Sequence, residues 1–160
     1  MTLDEAIRVA VDAHAGQLDK AGKPYILHPL RVMMTVESPT LDSARKVAIL
    51  HDVAEDSQWA VESLDAKFGL TLEEQAAMRL LTHGDDEDYD AYVERLASNP
   101  LARAMKLADL RDNLDVTRLE QVAERDAKRI TKYLRSLRRL TAGWSREIEE
   151  SSAAAHVGPP

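Results

Sequence analysis

Ala48-Ile49-Leu50-His51-Asp52-Val53-Ala54-Glu55-Asp56-Ser57 decides how the rest of the sequence is read. An apolar run stops abruptly in one imidazole and three carboxylates. On a helix His51 and Glu55 are one turn apart, as are Asp52 and Asp56, so each pair lies along one face. Val47, Ile49, Leu50 and Val53 carry the segment inward, and the polar cluster follows them at least in part. Buried carboxylates are costly without a partner, and a metal ion, another cation or a shifted pKa removes that cost. Adjacent His and Asp reach one divalent ion if the helix end bends, leaving Glu55 and Asp56 a turn away for proton transfer. Taken alone, the hexamer also fits a helix C-terminus with solvated acids and a packed imidazole. Two further stretches bear on the choice.

The first is Tyr25-Ile26-Leu27-His28-Pro29. It follows a polar loop, Gln17 to Pro24, that holds Lys20 and Lys23 and is punctuated by Gly22 and Pro24. Pro29 suits the first position of a helix, which places His28 at the N-cap or just before it. The second runs from Asn99-Pro100, a cap followed by a first-turn Pro, to about Leu114. Ala104, Met105, Leu107, Ala108 and Leu110 make this helix apolar on most sides, yet it holds Lys106, Asp109 and Asn113. Three oddities of matching chemistry are best explained together: His28, His51, Asp52 and Asp109 as four ligands of one metal. Two imidazoles and two carboxylates suit a hard or borderline divalent ion with positions left for water and substrate.

The remaining segments read as helices. Thr2-Leu3-Asp4-Glu5 is a capping box opening a first helix that ends near Gly16. A third helix opens near Thr40 and carries the HD segment. Trp59, Val61, Leu64 and Phe68, closed by Gly69, suggest a short fourth, and residues 72–81 make a fifth. A sixth has Tyr89, Tyr92, Val93 and Leu96 inward, and a long basic helix follows over residues 122–140. No run alternates as a strand does. The expectation is an all-α bundle of about eight helices in one domain, residues 1–150, with a disordered tail over 151–160.

The 160 residues hold no Cys, so disulfides, thiolate metal sites and Cys nucleophiles are excluded and any metal ligands are nitrogen and oxygen. A net charge of −7 argues against a general nucleic-acid binder, though not against a nucleotide. The N-terminus has no signal-peptide pattern and no apolar stretch approaches membrane-spanning length. A cytoplasmic protein without nucleic-acid or membrane partners is expected.

Four stretches carry a resemblance: Ala13-His14-Ala15-Gly16-Gln17, Lys20 through Pro29, Ala48 through Asp56, and Lys106-Leu107-Ala108-Asp109-Leu110-Arg111-Asp112-Asn113. In this order they resemble the HD-domain metal phosphohydrolases. Among these the likeness is to the hydrolase domain of RelA/SpoT-type alarmone enzymes and to the stand-alone small alarmone hydrolases, including the metazoan SpoT homologue. The resemblance implies Mn²⁺-dependent removal of pyrophosphate from the ribose 3′ position of ppGpp and pppGpp, another divalent ion being able to serve. It implies His28, His51, Asp52 and Asp109 as metal ligands and Glu55 and Asp56 as the acidic pair beside the attacking water. Asn113, Arg129 and Tyr133 fall at positions near the nucleotide, and Lys20 and Lys23 would offset phosphate charge. There is one departure: many members have Arg-Lys in the loop after the first helix, with the Arg against guanine, where this chain has Asp19-Lys20. An adenine alarmone such as ppApp, or the 2′-phosphate of NADPH, therefore stands as an alternative substrate. A non-catalytic nucleotide-sensing module is the alternative from another class.

Overall fold

The computed structural model describes residues 1–56, 59–84 and 86–155, with backbone alone for 55, 56 and 143–155. Among the described residues the chain forms eight α-helices and one 3₁₀ turn. They are α1 (Leu3–Ala13), α2 (Leu27–Thr35), α3 (Leu41–Asp56), α4 (Val61–Phe68), α5 (Leu72–Leu81), α6 (Tyr89–Ala97), α7 (Pro100–Asn113) and α8 (Glu124–Ala155), with the turn at Val116–Arg118. No strand occurs among these residues; one isolated bridge joins Leu18 to Pro24. No described helix is long and apolar enough to cross a membrane.

Local chemistry fixes most helix ends. Thr2 and Glu5 exchange the two hydrogen bonds of a capping box at α1, and Thr71 and Glu74 repeat the device at α5. Asn99 caps α7 and Pro100 occupies its first turn, where a missing N–H costs nothing. Gly69 ends α4 with φ 67°, a left-handed turn that a side chain disfavours. The second helix begins two residues earlier than its Pro suggests. Leu27 opens α2, so His28 and Pro29 both lie inside the first turn, all of whose N–H groups are free of intrahelical partners.

Two helices form the centre. In α3, Ala44, Val47, Ala48, Ile49, Leu50 and Val53 are all essentially inaccessible, and in α7 so are Leu101, Ala102, Met105 and Leu110. Around them pack α1, α2 and α5, while α6 and α8 cover the outer face of α7. Basic residues of α8 meet acids on α6: Arg135 pairs with Asp90 at 2.9 Å, and Arg139 pairs with Glu94. The α8 backbone runs through Ala155, residues 153–155 being Ala, the strongest helix former; residues 156–160 lie outside the described residues.

Candidate metal centre

His51 and Asp52 sit near the C-terminal end of α3, where its apolar face meets α2 and α7. The first turn of α2 brings His28, and the middle of α7 brings Asp109. All four side chains are buried, at 5 to 8% exposure. His28, His51 and Asp52 offer ligand atoms within 4.8 Å of one another. Asp109 completes the group, its Oδ1 lying 3.2 Å from His28 Nε2 and 4.0 Å from His51 Nε2.

The outward nitrogens of both imidazoles are tied down. His51 Nδ1 lies 2.7 Å from the Ala48 carbonyl, which can only accept, so Nδ1 donates. His28 Nδ1 lies 2.7 Å from Asp112 Oδ2. That carboxyl is held down at about 2, because the His28 and Arg31 hydrogen bonds overcome the upward push of burial, so it too only accepts. In the neutral rings each Nε2 is therefore a bare lone pair. His51 Nε2 is buried and makes no hydrogen bond, although Asp52 Oδ1 stands 3.0 Å away. Lone pairs of two imidazoles and two carboxylates converging on one point repel unless a cation lies among them. This donor set, with its orphaned nitrogen and its outer hydrogen bonds, fits a divalent metal ion.

Electrostatics tells the same story. Burial pushes the His28 pKa down, but the hydrogen bonds to Asp109 and Asp112 and the nearby Asp52 raise it to about 9. His51 is also raised despite complete burial, through the charge of Asp52 beside it. Asp109 is held far below the carboxylate range; against the cost of burial stand Lys106, whose Nζ is 2.8 Å from Oδ2, and the two imidazoles. The cluster takes up positive charge wherever it can find it.

Supporting residues surround the four. Tyr25 donates its hydroxyl to Asp52 Oδ2 at 2.8 Å, and Asn113 Nδ2 donates to Asp109 Oδ1 at 2.6 Å. Asp112 is clasped by Arg31 and Arg118 while it holds His28. Sequence reasoning passed over Tyr25 and Asp112 as holders of ligands, although both lie in the stretches that drew attention.

A cavity of about 520 Å³ opens onto the centre, in the size range of small-ligand sites. His28, Asp52 and Asp109 form part of its wall; Lys20, Asn113, Arg129 and Tyr133 line it as well. Lys23 does not line it. Asp19 Oδ1 accepts the N–H groups of Ala21 and Lys23, both at 2.9 Å, and this tight turn leaves Lys23 exposed on the outside. Asp19 itself lines the cavity, as do His83 and Lys132. The side chains of Glu55 and Asp56 lie outside the described residues; their backbone is the last turn of α3.

No protein-family model matches the chain. A Streptomyces coelicolor protein named GTP pyrophosphokinase is 33% identical over 124 residues, 72% of this chain and 15% of that protein. A Vibrio cholerae protein named guanosine-3′,5′-bis(diphosphate) 3′-pyrophosphohydrolase is 44% identical over 75 residues, 44% of this chain and 11% of that protein. The bifunctional (p)ppGpp synthase/hydrolase SpoT of Escherichia coli is 38% identical over 73 residues, 45% of this chain and 10% of that one. The chain thus spans only 10 to 15% of the length of these relatives. A solved structure described as a metazoan ortholog of SpoT that hydrolyzes ppGpp has the same fold. Its TM-score is 0.65 at 22% identity, over 91% of this chain and 94% of that one.

The helical bundle has the fold of that structure, and it buries the His51-Asp52 pair together with His28. The names of these sequence relatives support a RelA/SpoT-type HD hydrolase as what the chain is similar to.

Proposed function

We propose that the chain hydrolyses the 3′-pyrophosphate of ppGpp and pppGpp, giving GDP or GTP and pyrophosphate, with Mn²⁺ as the ion at His28, His51, Asp52 and Asp109. One observation carries this reading: both imidazoles turn Nε2 toward two carboxylates while their Nδ1 atoms are anchored behind. A divalent ion held there supplies Lewis acidity, activating water and screening phosphoryl charge.

The protein's own residues do the rest. Tyr25 and Asn113 orient Asp52 and Asp109, and Asp112 orients His28. Water attacks the phosphorus that carries the ribose 3′ oxygen; the bond from that oxygen to phosphorus breaks, and the oxygen leaves as the 3′ hydroxyl. Glu55 and Asp56, in the turn after Asp52, serve to take the proton from water and return one to the leaving oxygen, as a coupled pair of carboxylates. Lys20 and Arg129 line the cavity, where they would offset phosphate charge. Asp52→Ala and Glu55→Ala are expected to abolish release of pyrophosphate from ppGpp. Full activity in either variant refutes the assignment.

A second reading rests on Asp19, which lines the cavity where a guanine-contacting Arg is common in the family. The same chemistry would then act on ppApp or on the 2′-phosphate of NADPH. Assaying ppGpp, pppGpp, ppApp and NADPH in parallel after metal stripping and Mn²⁺ readdition separates the two. If none of the four is turned over, the nucleotide-sensing alternative stands in their place.

A further inference from the structure

Lys106 takes no part in the proposed reaction, yet its ammonium group is buried against one of the proposed ligands. Its Nζ lies 2.8 Å from Asp109 Oδ2, and its side chain is only 13% exposed. On the other side Nζ lies 5.3 Å from the centre of the Tyr92 ring. That ring is held as well: Tyr92 is buried and donates its hydroxyl to the Leu81 carbonyl at 2.8 Å. An aromatic face and a carboxylate thus fix the ammonium between them. Burying a lysine costs free energy, and a cation beside a metal ligand opposes the arrival of a divalent ion.

The two carboxylates of the centre are supported differently. Asp52 Oδ1 stands 3.0 Å from His51 Nε2, while Oδ2 accepts from the neutral hydroxyl of Tyr25 at 2.8 Å. Asp109 Oδ1 stands 3.2 Å from His28 Nε2 and accepts from Asn113 Nδ2 at 2.6 Å, while Oδ2 belongs to a cation. Lys106, Asp109 and Asn113 are three and four residues apart on α7, so the helix itself sets this arrangement on one face. A neutral donor is enough to orient a carboxylate, as Tyr25 shows at Asp52. An ion pair at Oδ2 does two further things. It turns that oxygen away from the imidazoles, leaving Asp109 to ligate through Oδ1, and it places a positive charge next to the ion's own position.

We propose that Lys106 is a positioning residue that confines Asp109 to one-oxygen ligation and, through its charge, lowers the affinity of the centre for divalent ions, most strongly for Ca²⁺. This deepens the proposed function and rests on it for the ion. Ca²⁺ takes six to eight oxygen ligands and commonly binds a carboxylate through both oxygens. A centre with two imidazoles and an acid limited to one oxygen serves it poorly, whereas a smaller ion that accepts nitrogen loses less.

The sign of the effect separates this role from plain packing. Loss of a side chain that only supports the fold weakens metal binding, whereas loss of the Lys106 charge should strengthen it. The test is competition between the whole chain and a calibrated chelator, for Mn²⁺ and separately for Ca²⁺, at mildly alkaline pH where protons compete least for the imidazoles. Lys106→Met is expected to bind Mn²⁺ about tenfold more tightly, a small part of the unscreened repulsion between the two charges. It should bind Ca²⁺ about 100-fold more tightly, since Asp109 Oδ2 becomes available to the larger ion. Lys106→Gln, also neutral, should likewise bind Mn²⁺ more tightly and carries the comparison if the Met variant does not fold. Mn²⁺ binding no tighter than the parent's in the neutral variants, or an unchanged ratio of Ca²⁺ to Mn²⁺ affinity in Lys106→Met, overturns the proposal. Turnover of ppGpp by the Mn²⁺-loaded parent is followed separately. Turnover in the parent without a gain in affinity in the variants removes this role of Lys106 and leaves the enzyme, whereas the gain without turnover does the reverse.

Discussion

Asp112 offers the sharpest perturbation of the candidate centre, because it touches His28, a proposed metal ligand, without being one itself. Its Oδ2 accepts from His28 Nδ1 at 2.7 Å and its Oδ1 from Arg31 Nε at 2.6 Å. Replacing it with Ala frees His28 to rotate and removes the acceptor that fixes its tautomer. Loss of such an outer partner typically weakens metal binding by about 10- to 100-fold, or about 1.4 to 2.7 kcal/mol. The cost to folding should be smaller. The side chains of Arg31 and Arg118 are 34% and 31% exposed, so water replaces the lost carboxylate at both, and about 1 kcal/mol is expected. Asp112→Asn keeps an acceptor for the His28 N–H but loses its charge, and should lose only about threefold in affinity. Competition between the protein and a calibrated chelator for Mn²⁺ measures the affinities; thermal melts of the metal-free proteins measure the folding cost. If Asp112→Ala binds Mn²⁺ as tightly as the parent, the second hydrogen bond of His28 is irrelevant and the argument from anchored imidazoles fails.

Other consequences follow from the same contacts. Metal-free protein given Mn²⁺ at 100 times its Kd should gain about 2.7 kcal/mol, or roughly 5–10 °C in Tm, and His51→Ala should lose that response. Glu74, 1% exposed, receives Lys46 at 2.6 Å and Ser43 at 2.9 Å. Glu74→Ala leaves that ammonium with the exposed Asp42 and the Met1 carbonyl, and should cost about 3 kcal/mol in chemical denaturation. Burial raises the Glu74 pKa, but Lys46, the Thr71 N–H and Ser43 lower it further than burial lifts it. Its contribution is therefore complete above the unfolded value of 4.5 and is lost as pH falls from there through the lower folded value, so Tm should fall with pH more steeply in the parent than in Glu74→Gln across that interval. Asp19→Asn keeps the acceptor that closes the loop and removes a negative charge from the cavity. It should lower KM for the accepted nucleotide about threefold, whereas an unchanged KM would show that the Asp19 charge does not reach the ligand.

The residues legible in the sequence were those that violated a local rule. Asp109 in an apolar helix, an imidazole beside Pro29 and a His-Asp pair ending an apolar run each demanded a partner, and the fold supplies it by bringing them together. Helix ends were legible where one residue does the work, as at Thr2, Gly69 and Asn99. The start of α2 was not, because Pro fits any first-turn position and leaves the register open by a residue or two. Asp112 was hidden for a different reason. Arg111-Asp112 at a helix end looks like solvated charge, and only the packing of α2 against α7 turns that carboxylate onto His28. Glu74 is similar: Thr71 and Glu74 spell a capping box, but the pattern does not say that the glutamate is also the buried partner of Lys46.

Lys23 and Lys132 show the same limit from opposite sides. In the sequence Lys20 and Lys23 are equivalent loop lysines, and Lys132 is one basic residue among many on a helix that looks solvated. A single Asp decides the first pair: by accepting from Ala21 and Lys23, Asp19 curls the loop so that Lys20 reaches the cavity and Lys23 does not. Pairing decides the second, since α6 takes Arg135 and Arg139 while the face one turn earlier, with Arg129 and Lys132, lines the cavity. The net charge of −7 therefore says little about what the cleft binds. Field strength within a cavity depends on which charges are paired, and two acids flanking this wall are occupied, Asp90 by Arg135 and Asp126 by Arg129 and the Ala123 N–H. An acidic protein thereby presents a basic wall to its ligand.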